Sequence, residues 1–168
     1  MKKPSFLLAA VLAVTATSAA MADIKTSTFQ VLINVAKACS VTAGNASNIN
    51  FGTVESSATG LIASSNISVT CSKTTPYNVG LTPSNSDTTG AGVMKPDAAG
   101  PDTVPYQLRS VSATGPIWGN TATPTAVGNG VAGTGTGAAQ TIPVFATVAS
   151  ANVTPGVYRD TVTVTVNY

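Results

Sequence analysis

Hydrophobic and polar residues alternate along short stretches of this chain, and residues 29–35 carry one of the clearest examples. Its apolar side chains fall on alternate positions: Phe29, Val31, Ile33 and Val35. This is the period of a β-strand with one buried face. The following Ala36-Lys37-Ala38 has no residue typical of a turn that would return the strand to its own domain. Two interpretations stay open: an ordinary first strand of the same domain, or an arm that inserts into a neighbouring subunit.

The same alternation recurs in short runs separated by Gly, Pro, Asn, Ser and Thr, and no segment has a sustained helical period. Strands are predicted at residues 39–42, 49–54, 66–71, 77–81, 104–108, 142–148 and 160–168. The last is the clearest, with one apolar face made of Val162, Val164, Val166 and Tyr168. About seven strands plus the arm predict an antiparallel, immunoglobulin-like β-sandwich.

Three local features refine this prediction. Pro143 lies on the face opposite Ile142 and Val144, which is typical of an edge strand or a strand start. The polar stretches 82–103 and 110–141 are predicted to be loops. The second contains a glycine-rich run at 128–137, but no lysine or helix follows it as a phosphate-binding loop requires. We therefore expect a flexible surface loop there.

The first 22 residues have the anatomy of a secretory signal peptide: Lys2 and Lys3, an apolar run at 6–14, and Ala20-Met21-Ala22 as the cleavage site. Cleavage leaves 146 residues, the size of one domain. No other apolar run is long enough to cross a membrane. The mature chain is thus expected to be exported and not embedded in a membrane.

Removal of the leader also changes the charge balance. The remaining basic residues are six and equal the six acids, so the net charge is near zero despite a pI of about 8.6 for the whole chain. No basic stripe remains to bind phosphates, which argues against a nucleic-acid partner. Charged residues make up only 8% of the chain, and a near-zero net charge favours association.

Cys39 and Cys71 are the two cysteines of this exported chain, and we expect them to form one disulfide. Such a bond would close a ring of about 33 residues and stabilise the fold by about 3–4 kcal/mol. Each cysteine also shares the parity of an apolar strand face. A redox or metal-binding role is not expected, because there is no CxxC pair and no histidine.

The residues that catalysis requires are not assembled in this sequence. The chain has no histidine, and its six carboxylates are scattered. Neither catalytic residues, a metal site nor a cofactor is predicted, and the protein is not expected to be an enzyme. Trp118 is the single tryptophan; it could stack on a sugar, but a packing role in the core is favoured.

The C-terminal run from Pro155 to Tyr168 resembles the closing signature of the spore coat protein U domain family, which includes archaic, Csu-type chaperone–usher pilins. Further similarities follow in the family's order: the alternating arm ending at Cys39, Phe51-Gly52, the strand from Asn66 to Cys71, Tyr106-Gln107-Leu108-Arg109 and Trp118-Gly119. The acidic residue usual soon after the middle motif is absent from Ser110-Val111-Ser112.

The resemblance implies an incomplete immunoglobulin-like sandwich at residues 38–168, preceded by a donor-strand arm at 23–37. Phe29, Val31, Ile33 and Val35 would be the donor side chains, and Val162, Val164, Val166 and Tyr168 would line or border the acceptor groove. The implied partners are copies of the chain or related pilins, a periplasmic chaperone and an outer-membrane usher. The implied function is a structural pilus subunit for surface attachment and biofilm formation. Alternatives are a secreted cell- or spore-surface coat protein of the same fold, and a monomeric carbohydrate-binding sandwich that uses Trp118.

Overall fold

A computed structural model describes residues 23–168, so the signal peptide predicted at residues 1–22 lies outside the described residues. Within that range the chain forms nine strands and a single 3₁₀ turn at Asn45–Ser47. The strands are β1 Cys39–Thr42, β2 Thr59–Cys71, β3 Pro76–Thr82, β4 Ala91–Pro96, β5 Val104–Ser110, β6 Val131–Thr134, β7 Ala139–Ser150, β8 Tyr158–Arg159 and β9 Thr163–Asn167.

The strands form two antiparallel sheets. The larger has the order β1-β2-β7-β5-β4-β8, and the smaller has the order β6-β3-β9. The ladder between β2 and β7 is the longest and runs from Thr59 opposite Ser150 to Thr70 opposite Ala139. This arrangement confirms the predicted all-β, antiparallel fold.

The core is built from the strand faces that the alternation predicts. Odd positions point inward on β2 and β3, and even positions point inward on β5 and β7. The buried apolar side chains of these strands are Ile67, Val69, Cys71, Tyr77, Val79, Leu81, Val104, Tyr106, Leu108, Val144, Ala146 and Val148. A period of two therefore places one apolar face of each strand inside.

Several local predictions were wrong. Residues 49–54 form no strand, although Ile49 and Phe51 pack against the core. β4 and β6 lie in stretches that were predicted to be loops. Pro143 lies in the middle of β7, opposite Asn66 of β2. Pro143 is not at a strand start, but the predicted edge position is found locally, because the ladder of β7 with β5 ends at Val144.

Among residues 23–168, no helix is long and apolar enough to span a membrane.

Candidate functional site

The apolar segment at residues 29–35 belongs to no strand in the structure. The chain divides into two units between Asn34 and Val35. The side chains of Phe29, Val31, Ile33 and Val35 are 79–88% exposed, and so is the intervening Leu32. The alternation predicts one buried apolar face, but all of these side chains are exposed to solvent, and exposed apolar surface of this kind is typical of an interaction site. Its role as a donor strand stays a prediction.

The edge of the smaller sheet is open on one side. β9 pairs with β3, from Thr82 opposite Thr163 to Asn78 opposite Asn167. Within the described part of the chain, no strand pairs with the other edge of β9. A free strand edge presents unpaired N–H and C=O groups to another chain.

Half-buried apolar side chains accompany this free edge. β9 approaches β1, the edge strand of the larger sheet. We call the half-buried residues of these two edges the seam: Cys39, Val41, Val162, Val164 and Val166. They pack against the core on one side and remain partly open on the other. Tyr168, also predicted to border the acceptor groove, is 39% exposed. The seam therefore brings together three of the predicted groove residues, but its role as an acceptor stays a prediction.

One end of the seam is marked by Lys37 and Tyr168. The Nζ atom of Lys37 lies 5.7 Å from the centroid of the Tyr168 ring, within the range of a cation–π contact. The residues that precede β1 are thereby placed beside the residue that follows β9.

The start of β9 is fixed by a hydrogen bond that the sequence did not reveal. The hydroxyl of buried Tyr106 donates to Oδ2 of Asp160 at 2.6 Å, and the main-chain N–H of Thr161 donates to the other carboxylate oxygen at 2.8 Å. Burial of Tyr106, together with the charge of Asp160, raises the pKa of the tyrosine well above its usual value near 10. The pair ties the larger sheet to the chain that leads into β9.

The predicted disulfide is present: Cys39 and Cys71 are bonded. They lie directly opposite each other in the β1–β2 ladder. Because Cys39 is the first residue of β1, the bond lies at the end of the domain where the arm begins.

Trp118 is fully buried, and its Nε1–H donates to the carbonyl oxygen of Val79 at 2.9 Å. A sugar cannot stack on a ring that solvent does not reach. The favoured interpretation as a core anchor is confirmed, and the carbohydrate-binding alternative loses the residue on which it depended.

Two further carboxylates of the described residues make local contacts on the surface. Asp97 pairs with Arg159 at 3.1 Å. Asp102 accepts hydrogen bonds from the N–H and hydroxyl of Thr154, which lower the pKa of its carboxyl group. Within residues 23–168, no group of three or more potential metal ligands is found together.

The overall architecture is similar to that of a chain in a solved chaperone–subunit complex of a pilus system. One match is a chain in the crystal structure of the CsuC–CsuE chaperone–tip adhesion subunit pre-assembly complex, from the archaic chaperone–usher Csu pili of Acinetobacter baumannii. It has 24% identity and a TM-score of 0.54, and covers 80% of this chain and 40% of that one. A chain of a chaperone–tip adhesin complex of CFA/I fimbriae matches at 13% identity and a TM-score of 0.40, over 77% of this chain and 41% of that one; it is too distant to support an argument.

The match to the chain of the Csu complex defines the class of fold: an immunoglobulin-like sandwich of the kind found in chaperone–usher pilus proteins. The chain spans about two fifths of the length of the solved chains that it matches. Curated protein sequences gave no match. The model of the Spore Coat Protein U domain matches residues 25–165, and the chain belongs to this family.

Proposed function

We propose that this chain is a structural, non-enzymatic subunit of a surface pilus. In this proposal it is exported to the periplasm, bound there by a chaperone and added to the fibre at an outer-membrane usher. Its membership of the spore coat protein U domain family and its pilin-type fold support the assignment. The fibre would serve attachment to surfaces and biofilm formation.

The observation that carries the proposal is that one chain has two apolar faces that are not covered by its own structure. One is the exposed alternating segment at residues 29–35, and the other is the seam along the unpaired edge of β9. Strand addition to a free sheet edge satisfies both, because main-chain hydrogen bonds extend the sheet while alternate side chains enter the groove. Each copy would donate Phe29, Val31, Ile33 and Val35 to the seam of the next.

The available energy is sufficient for a non-covalent joint. Burial of an apolar side chain of this size contributes about 1.5–3 kcal/mol. Four such side chains give about 6–12 kcal/mol, before the cost of ordering the arm is subtracted. Until the arm of another copy arrives, the open edge would favour aggregation. This is the physical reason for a chaperone that covers it.

The test compares full-length exported protein with a variant that lacks residues 23–35. Unboiled samples are run in SDS, where strand-complemented polymers give a ladder. We expect ladders from the full-length protein, and we expect the deletion variant to form none alone and to shorten the ladders when mixed in. The matched control replaces Gln30 and Asn34, on the opposite face of the arm, by alanine and should polymerise normally. Folded monomers from both the full-length and the deleted protein would contradict the proposal.

A further inference from the structure

The chain enters β1 through Ala38 and Cys39, and both residues are fastened to the end of β2. Cys39 is disulfide-bonded to Cys71. Ser72 holds Ala38 with three hydrogen bonds: its main-chain N–H donates to the Ala38 carbonyl at 2.9 Å, its hydroxyl donates to the same oxygen at 3.2 Å, and the hydroxyl accepts from the Ala38 N–H at 3.0 Å. A single serine thus occupies both main-chain polar groups of Ala38.

This point of attachment is seated in the body of the domain. Cys71 is buried, and its carbonyl accepts a hydrogen bond from the N–H of Gly137 at 2.9 Å. A Cβ atom at Gly135 would collide with the Ser72 carbonyl oxygen, so only glycine allows the backbones to approach this closely. The glycine-rich run therefore supports the end of β2.

β1 alone would be a weak connection under tension. It has only four residues, paired from Cys39 opposite Cys71 to Thr42 opposite Ser68. A pull on the chain before Ala38 reaches the Cys39–Cys71 pair first, and without a covalent bond the remaining pairs could open one after another. With the bond, tension passes directly into β2, which is held along its length by β7.

We propose that the Cys39–Cys71 disulfide is a mechanical anchor that transfers tension from the arm into β2, with Ser72 as the residue that positions the chain at this anchor. The inference rests on the proposed function, because only a subunit linked to its neighbour through the arm carries such tension. The bond thereby protects the seam, since β1 supplies one of its two sides.

The test stretches single fibres in an optical trap before and after reduction of the disulfide, with thiol labelling to confirm that reduction is complete. Oxidised fibres should show no yielding below the main unfolding force of the subunits. Reduced fibres should show an additional step at lower force, as β1 and the chain up to β2 are released. That segment has about 20 residues and would add up to about 70 Å per subunit, at about 3.3–3.6 Å per residue.

A second comparison isolates the role of Ser72. The Ser72→Ala variant should form fibres normally, but in reduced fibres it should lower the force of the additional early step, whereas Ser72→Thr keeps the hydroxyl and should restore that force. Ser40→Ala, on the exposed face of β1, is the matched control. The free energy of unfolding in urea is measured in parallel. A general loss of stability would lower both this free energy and the force of the early step.

The outcomes separate the anchor from polymerisation. Equal forces and equal numbers of steps in oxidised and reduced fibres would overturn the anchor but leave the pilus proposal intact. Reduced fibres that fall apart without load would also overturn it, because the bond would then hold the fold as a whole. Failure of the full-length protein to form fibres at all would overturn both proposals.

Discussion

Replacement of Ile33 by alanine tests the proposed joint at a single side chain. Ile33 is 88% exposed in the isolated chain, so the substitution should cost the subunit itself little stability. Asn34 follows it directly and would face the other way in an extended strand. Asn34→Ala is therefore a control at the neighbouring position of the arm, where no apolar contact is lost.

The expected effect follows from how the seam is built. Truncation of a fully buried isoleucine to alanine costs about 2–5 kcal/mol, depending on how far the surroundings collapse into the space. The seam is lined by half-buried valines that are open on one side, so partial collapse is expected and the lower half of this range applies. A loss of about 2–3 kcal/mol corresponds to a joint weakened about 30- to 150-fold.

The joint is measured by the dissociation of purified fibres in increasing guanidinium chloride, followed by light scattering and by unboiled SDS gels. We expect Ile33→Ala fibres to dissociate about 30- to 150-fold faster than the unmodified ones, and Asn34→Ala fibres to behave like the unmodified ones. Equal dissociation of the two variants would refute the assignment of the apolar face. A lowered melting temperature of the Ile33→Ala monomer would place the side chain inside its own domain instead.

Two further predictions concern the core behind the seam. Tyr106→Phe removes the hydrogen bond to Asp160 and should cost about 1–2 kcal/mol at neutral pH. Because the pKa of Tyr106 is raised in the folded state, the unmodified protein should lose stability as the pH rises above about 10, and the variant should lose less. The free energy of unfolding is measured in denaturant at several pH values from about 7 to 11. The same decrease with pH in both proteins would contradict this prediction. Trp118→Phe leaves the buried Val79 carbonyl without its donor and should cost about 1–3 kcal/mol in urea unfolding, whereas efficient quenching of Trp118 fluorescence by acrylamide in the native protein would contradict its burial.

The strands with the longest apolar alternation could be predicted from the sequence, including which face points inward. On β5, for example, Val104, Tyr106 and Leu108 are all buried, as their even parity predicts. The Cys39–Cys71 bond could also be predicted, because these are the two cysteines of the chain and both share the parity of an apolar strand face. A period of two is a strong signal wherever one strand face is buried by the same chain.

The other strands could not be predicted, for physical reasons that differ between them. β6 is Val131-Ala132-Gly133-Thr134 inside a glycine-rich run. Gly133 lets the Tyr77 ring of β3 pack against the backbone of β6, because a Cβ atom there would collide with that ring. β4 has one glycine, Gly92, under the Tyr106 ring in the same way. In both strands a partner's aromatic ring supplies the burial, so their own side chains carry little alternation. The hydrogen bond from Tyr106 to Asp160 joins residues far apart in sequence and leaves no local signal.

The mismatch between pattern and burial is the most informative feature of this chain. Val164 and Val166 on β9 alternate as regularly as Val144 and Val148 on β7, yet the β7 side chains are buried and those of β9 are only half-buried. A free edge that stays in water is normally protected by charged residues, bulges or proline, and β9 has none of these between Thr163 and Asn167. The segment at residues 29–35 has the same mismatch in a stronger form, since all its apolar side chains are exposed. Two uncovered apolar faces of the same period occur in one chain, and the proposed strand addition between copies would bury both.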